Sequence, residues 1–116
     1  MQYILLIYGT EQDRANATAA DQQNMMAAYG EFTQSIKHSG NFVAGDALQV
    51  TPSARTVRVR DGKTLTTDGP FAETKEQLGG YYLIEARDLN DALQVASRIP
   101  SARTGSVEVR PIEVFS

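Results

Sequence analysis

Apolar and polar positions alternate with two different periods along this chain, and the switches between them outline its elements. Residues 2–8 (Gln-Tyr-Ile-Leu-Leu-Ile-Tyr) are apolar almost without a break, the pattern of a strand covered on both faces. Residues 9–17 turn polar and read as a loop. Thr18-Ala19-Ala20-Asp21 has the form of a capping box, and it opens a helix over residues 19–39. In that helix Met25, Ala28, Tyr29, Phe32 and Ile36 recur at three- and four-residue steps, which predicts one buried stripe, and Gly40 is a natural stop. Residues 42–50 return to a strand pattern. Val57 and Val59 then alternate with Arg58 and Arg60, Asp61-Gly62 supplies a tight turn, and residues 63–67 come back, predicting a hairpin with one wet face.

A loop dense in turn residues and charge follows, from Asp68-Gly69-Pro70-Phe71 to Gly79-Gly80, and leads into a strand over residues 81–86. Asp88-Leu89-Asn90-Asp91 caps a second helix with Leu89, Ala92, Leu93, Ala96 and Ile99 on one face, and Pro100 ends it. Residues 101–105 read as a loop. Residues 106–112 alternate with charge, and Pro111 assigns that strand to a sheet edge. The order β-α-β, hairpin, β-α-β predicts a single α+β domain of the ferredoxin-like βαββαβ type with an inserted hairpin. Its first and third main strands belong at the centre of the sheet, because Ile4, Leu6 and Tyr8 oppose Tyr3, Leu5 and Ile7, while Tyr81 and Leu83 oppose Tyr82 and Ile84. Two helices cover one side of such a sheet, so the other apolar side calls for a partner. A second copy of the chain is the simplest one, giving a homodimer packed sheet on sheet.

Composition removes several kinds of chemistry. A chain of 116 residues suffices for one core, and the absence of cysteine excludes disulfides, thiolate nucleophiles, iron-sulfur clusters and cysteine zinc sites. A reduced cytoplasm is the expected location. The apolar start is too short to cross a membrane and lacks the basic flank of a signal peptide, so no membrane association is expected. Net charge is −3 with scattered Lys and Arg, which argues against a nucleic-acid partner.

Few catalytic signatures are present. Residues 40–45 have the glycine spacing of a phosphate loop, but Asp46-Ala47 stands where Lys-Ser or Lys-Thr is required. A single histidine, His38, cannot supply both a triad and a histidine metal site, and it falls where a helix dipole favours a cation. No cofactor or metal is therefore expected. Asp68 either caps its own turn or stands as a carboxylate at a cavity mouth, able to serve as a general base. Glu73, Lys75 and Glu76 either form ordinary surface pairs or polarise a small polar ligand. Tyr8, Tyr29, Tyr81 and Tyr82 occupy apolar periodic positions and read as core. Asp46 lies in an apolar strand and needs a partner, for which Arg103 is one candidate.

The string from Asp68 to Tyr82, with its Asp-Gly-Pro-Phe opening, strongly resembles the DGPF-type branch of the YCII-related proteins. Residues 3–9, 26–29, 45–48, 57–64 and 99–111 are similar to that family as well, so the resemblance covers nearly the whole chain. It implies a dimeric α+β barrel with a cleft between helix and sheet in each subunit. It also implies two functional directions. Some relatives carry a His and Asp pair and remove halide from small unsaturated acids, whereas many DGPF members are encoded beside extracytoplasmic-function sigma factors. The position corresponding to the relatives' histidine falls at Tyr29, which departs from the lyase pattern; a tyrosine there would hydrogen-bond a ligand or, as phenolate, move a proton. The expectation is a cytoplasmic homodimer that binds a small organic acid. Arg103 or Lys75 would hold the anion, Asp46 or Asp68 would act as base, and Tyr29 would orient the reacting group. The alternative is a non-catalytic module acting through protein contact, for example in sigma-factor control.

Overall fold

A computed structural model describes residues 1–115. Its elements are β1 (Gln2–Gly9), α1 (Glu11–Asn16), α2 (Ala19–His38), β2 (Phe42–Ala47), β3 (Arg55–Arg60), β4 (Lys63–Asp68), β5 (Gln77–Glu85), α3 (Leu89–Ser97) and β6 (Ser106–Pro111). Four strands form an antiparallel sheet in the order β2-β5-β1-β6, and β3 and β4 form a separate hairpin. This is the ferredoxin-like α+β arrangement expected from the sequence, with the doubly apolar strands β1 and β5 at the centre.

The core lies between the sheet and the two long helices. Tyr3, Leu5 and Ile7 of β1 and Tyr82 and Ile84 of β5 meet Phe32 and Ile36 of α2 and Ala92, Val95 and Ala96 of α3, with Ile99 just beyond. Each large side chain buried here contributes about 1.5–3 kcal/mol through apolar burial, which outweighs any single local preference. The predicted helix stripes are accordingly narrower than the sequence pattern. Met25 on α2, and Leu89 and Leu93 on α3, are exposed; the buried positions are Phe32 and Ile36 on the first helix, with Tyr29 packed beside them, and Ala92, Val95 and Ala96 on the second, with Ile99 just past its end.

Other boundaries differ for local reasons. The segment expected as loop over residues 9–17 contains α1, which Thr10 caps by accepting from Asp13 N–H; all six of its residues are polar or alanine, so no apolar period announced it. Strand β2 stops at Ala47, not at residue 50, and a 3-10 turn follows over Thr51–Ser53. Strand β5 starts at Gln77 instead of residue 81. Its Gly80 pairs with Ile7 and Ala47, while Gly79 falls at a register shift where Tyr8 faces Leu78, so glycines that read as loop lie within the sheet. Pro100 begins a 3-10 turn over Pro100–Arg103 instead of an irregular loop.

The hairpin closes through Asp61 (φ 51°) and Gly62 (φ 73°), the two positive dihedrals that a tight hairpin turn requires. It stands apart from the body. The Cα radius of gyration is 16.2 Å, against about 13 Å for a compact domain of roughly this length.

Candidate functional site

The sheet sorts the expected site residues onto different faces. Gly45 sits beside Tyr82, and a Cβ there would lie 2.5 Å from a ring carbon of Tyr82, so Gly45 faces the helices. Asp46 therefore faces the opposite, uncovered side, where it pairs in register with Tyr81 and its Oδ2 accepts the Tyr81 hydroxyl at 2.8 Å. The partner of Asp46 is this tyrosine and not Arg103. The hydrogen bond and the charge of the Asp46 carboxylate raise the Tyr81 pKa above its ordinary value.

Tyr29 is on the helix side. Its hydroxyl and that of Ser101 lie 2.6 Å apart, joining α2 to the 3-10 turn after α3. Burial is the main cause that raises the Tyr29 pKa, partly offset by the Ser101 hydrogen bonds. A phenolate is thus disfavoured at this position, and the neutral hydroxyl is a donor or acceptor.

Asp68 lies at the root of the hairpin, 3.1 Å from the Arg55 Nε, with both side chains exposed. Surface pairs of this kind contribute about 0–1 kcal/mol, so the arrangement closes the strand ends without creating a buried base. Lys75 lines a recess of about 540 Å3 at one end of the uncovered sheet face, together with Tyr8, Thr10, Glu76, Ser106 and Glu108. There the Ser106 hydroxyl donates to Glu76 at 2.7 Å, and Arg110 pairs with Glu108.

Arg103 lines a second recess of about 280 Å3 on the helix side, walled by Ala28, Glu31, Phe32 and Ser35 of α2 and by Arg98 and Pro100. Arg98 donates to the Ser35 hydroxyl at 3.2 Å, and its guanidinium lies 5.8 Å from the Phe32 ring centre, a cation-π distance. The turn carrying Arg103 also carries Ser101, so the structure brings Tyr29 and Arg103 to one segment. It keeps Asp46, Asp68 and Lys75 elsewhere. Arg98, Glu31 and Ser35 were not singled out from the sequence; their only signal was position, Glu31 and Ser35 at four-residue spacing on α2 and Arg98 at the end of α3. Among the described residues no group of three or more His, Asp or Glu side chains is placed to hold a metal ion, and no helix is long and apolar enough to cross a membrane.

The YCII-related domain model matches residues 1–116. The chain belongs to the YCII-related family. This YCII-related chain is also 35% identical over 117 residues to the uncharacterized protein R00369 of Rhizobium meliloti (strain 1021), a match covering 99% of this chain and 94% of the relative. Family membership and the ferredoxin-like sheet therefore agree with the resemblance carried by the segment from Asp68 to Tyr82. In this YCII-related protein the Asp46 and Asp68 carboxylates lie apart from the recess that holds Arg98 and Arg103.

Proposed function

We propose that this protein is a cytoplasmic homodimer, a dimeric α+β barrel, that binds a small organic acid in the helix-side recess of each subunit. The observation that carries the reading is the pair of guanidiniums, Arg98 and Arg103, beside an apolar floor of Phe32, Ala28 and Pro100. Two arginines against the single carboxylate of Glu31 leave that recess one charge positive, as an anion requires. Phe32 and Pro100 provide apolar surface for a short carbon chain. The Lys75 recess is the weaker candidate for an acid, because Glu76 and Glu108 outnumber its lysine.

Binding fits better than lyase-like turnover or proton transfer. Burial disfavours the Tyr29 phenolate, and Asp46 and Asp68 are paired with Tyr81 and Arg55, not with Arg98 or Arg103. The pairing of both carboxylates at the surface also supports the second reading, a non-catalytic module working in the context of extracytoplasmic-function sigma factors, in which acid binding would act as a signal. Thermal denaturation with a panel of short-chain carboxylic acids tests the ligand. The melting temperature rises with acid concentration by mass action, and Arg103→Ala removes the rise. No shift with any acid at millimolar concentration would sink the reading.

A further inference from the structure

Three charged side chains meet at the helix-side recess, and none of them is paired with another. Glu31 reaches it from α2, Arg98 from the end of α3, and Arg103 from the 3-10 turn that follows. Elsewhere on this surface opposite charges do pair, Arg55 with Asp68 at 3.1 Å and Arg87 with Asp91 at 3.5 Å. Among the described residues, however, neither Arg98 nor Arg103 makes an ion pair, and Glu31 has no cationic partner. Arg98 is held by other means. Its Nη1 donates to the Ser35 hydroxyl at 3.2 Å, and its guanidinium lies over the Phe32 ring. Asp91 feels Arg98 as the weakest of its influences and is bound by Arg87 instead. A positioned cation without an anion, beside an anion without a cation, complements a ligand that carries both signs.

The number and spacing of the charges narrow that ligand further. Two guanidiniums match two carboxylates, and the Glu31 carboxylate matches one ammonium group. A molecule with those three groups bears −1 and neutralises the single positive charge of the recess. Glu31 and Ser35 are four residues apart on α2, about 6 Å along its axis, so Glu31 and the Arg98 guanidinium held at Ser35 address different parts of a short molecule. The volume of about 280 Å3 lies at the lower limit of ligand sites, about 300 Å3, which suits a free amino acid and not a peptide. We infer that the acid bound in this recess is an acidic α-amino acid of the aspartate or glutamate type, its carboxylates held by Arg98 and Arg103 and its ammonium group by Glu31. This deepens the small-acid reading above and rests on it.

Isothermal titration calorimetry with L-glutamate against glutarate, and L-aspartate against succinate, isolates the amino group, because each pair shares its two carboxylates. The better-bound amino acid should exceed its amine-free counterpart by at least about tenfold in affinity, the discrimination that one charge-assisted hydrogen bond supplies. Glu31 is exposed, so Glu31→Gln should keep the native circular dichroism spectrum. In that variant the preference should vanish, while glutarate and succinate bind as tightly as before or more tightly. Equal binding of the paired ligands by the native protein, or a preference that survives Glu31→Gln, overturns the amino-acid inference. Binding of only monocarboxylic acids overturns it too, and in all three cases the small-acid reading stands. If no acid binds at millimolar concentration, both fall together.

Discussion

Tyr29 shows how one side chain can be assigned correctly by pattern and still have its chemistry set by a neighbour that pattern does not reveal. Its place on the α2 stripe followed from three- and four-residue spacing, but the Ser101 hydroxyl is 72 positions away, and only the chain path brings it within 2.6 Å. Burial raises the folded-state pKa of Tyr29 above the ordinary value of 10.0. The sign of the linkage follows: between the unfolded and folded pKa values the native state holds more protons, so this contribution is complete below pH 10 and is lost as pH rises through the folded value. Urea titrations at increasing alkaline pH should show a steeper fall in stability for the native protein than for Tyr29→Phe; parallel curves would contradict this. Asp46 was similarly half readable. Its need for a partner was evident from an acid in an apolar strand, yet the choice of Tyr81 over Arg103 depended on strand register. Gly45 decides which way that strand faces, since Tyr82 is fixed beside it by the Thr33 hydroxyl at 2.7 Å and by edge-on packing with Phe32 at 5.2 Å between ring centres. Gly45→Ala should therefore cost about 1–3 kcal/mol through overpacking, measured as a lower urea midpoint with an unchanged slope.

Elements were readable where an apolar period and a cap agreed. Both long helices begin at the expected caps: Thr18 and Asp21 satisfy each other's backbone N–H groups, and Asp88 accepts from Asp91 N–H at 2.9 Å. Asp88→Ala should lower stability by about 1 kcal/mol, observed in chemical denaturation. Asp91 adds pH dependence to the same terminus. The backbone N–H of Arg87 donates to its carboxylate at 2.9 Å, and this is the main cause that lowers its pKa from 3.8. A depressed carboxyl group stabilises the folded state above its unfolded pKa, and that stabilisation disappears as pH falls through the folded value. The gap in urea midpoint between native protein and Asp91→Asn should consequently narrow as pH is lowered from neutrality to below the unfolded pKa. A gap of constant width would contradict this assignment. Helix α1 and the early start of β5 escaped the sequence reading for opposite reasons. The first has a cap but no apolar stripe, and the second has glycines inside a paired strand, where two neighbouring backbones supply the order that side chains usually provide.

At the scale of the molecule, the sequence already implied an uncovered sheet, whereas the separation of the β3-β4 hairpin from the body had no sequence signal because alternation along β3 says nothing about where the hairpin points. The uncovered face follows directly from strand periodicity: Ile4 opposite Leu83, and Leu6 opposite both Tyr81 and Glu108, cannot turn toward the helices while Tyr3, Leu5 and Ile7 do. Leu6 is the decisive position, being on a central strand and flanked on both sides by residues of the same face. A lysine there would leave the helix-side core untouched, so each subunit should still fold. In a sheet-to-sheet dimer, however, both copies of Leu6 would be buried, and replacing them loses about 1.5–3 kcal/mol of apolar transfer in each subunit, before the cost of desolvating two ammonium groups. Converted through the association constant, that is a loss of at least about a hundredfold in dimer affinity. Leu6→Lys should sediment as a folded single subunit at micromolar concentration, with the helical circular dichroism of the native chain. A dimer of undiminished affinity would mean that another surface joins the copies, and the uncovered face of β1 and β5 would then belong to a different partner.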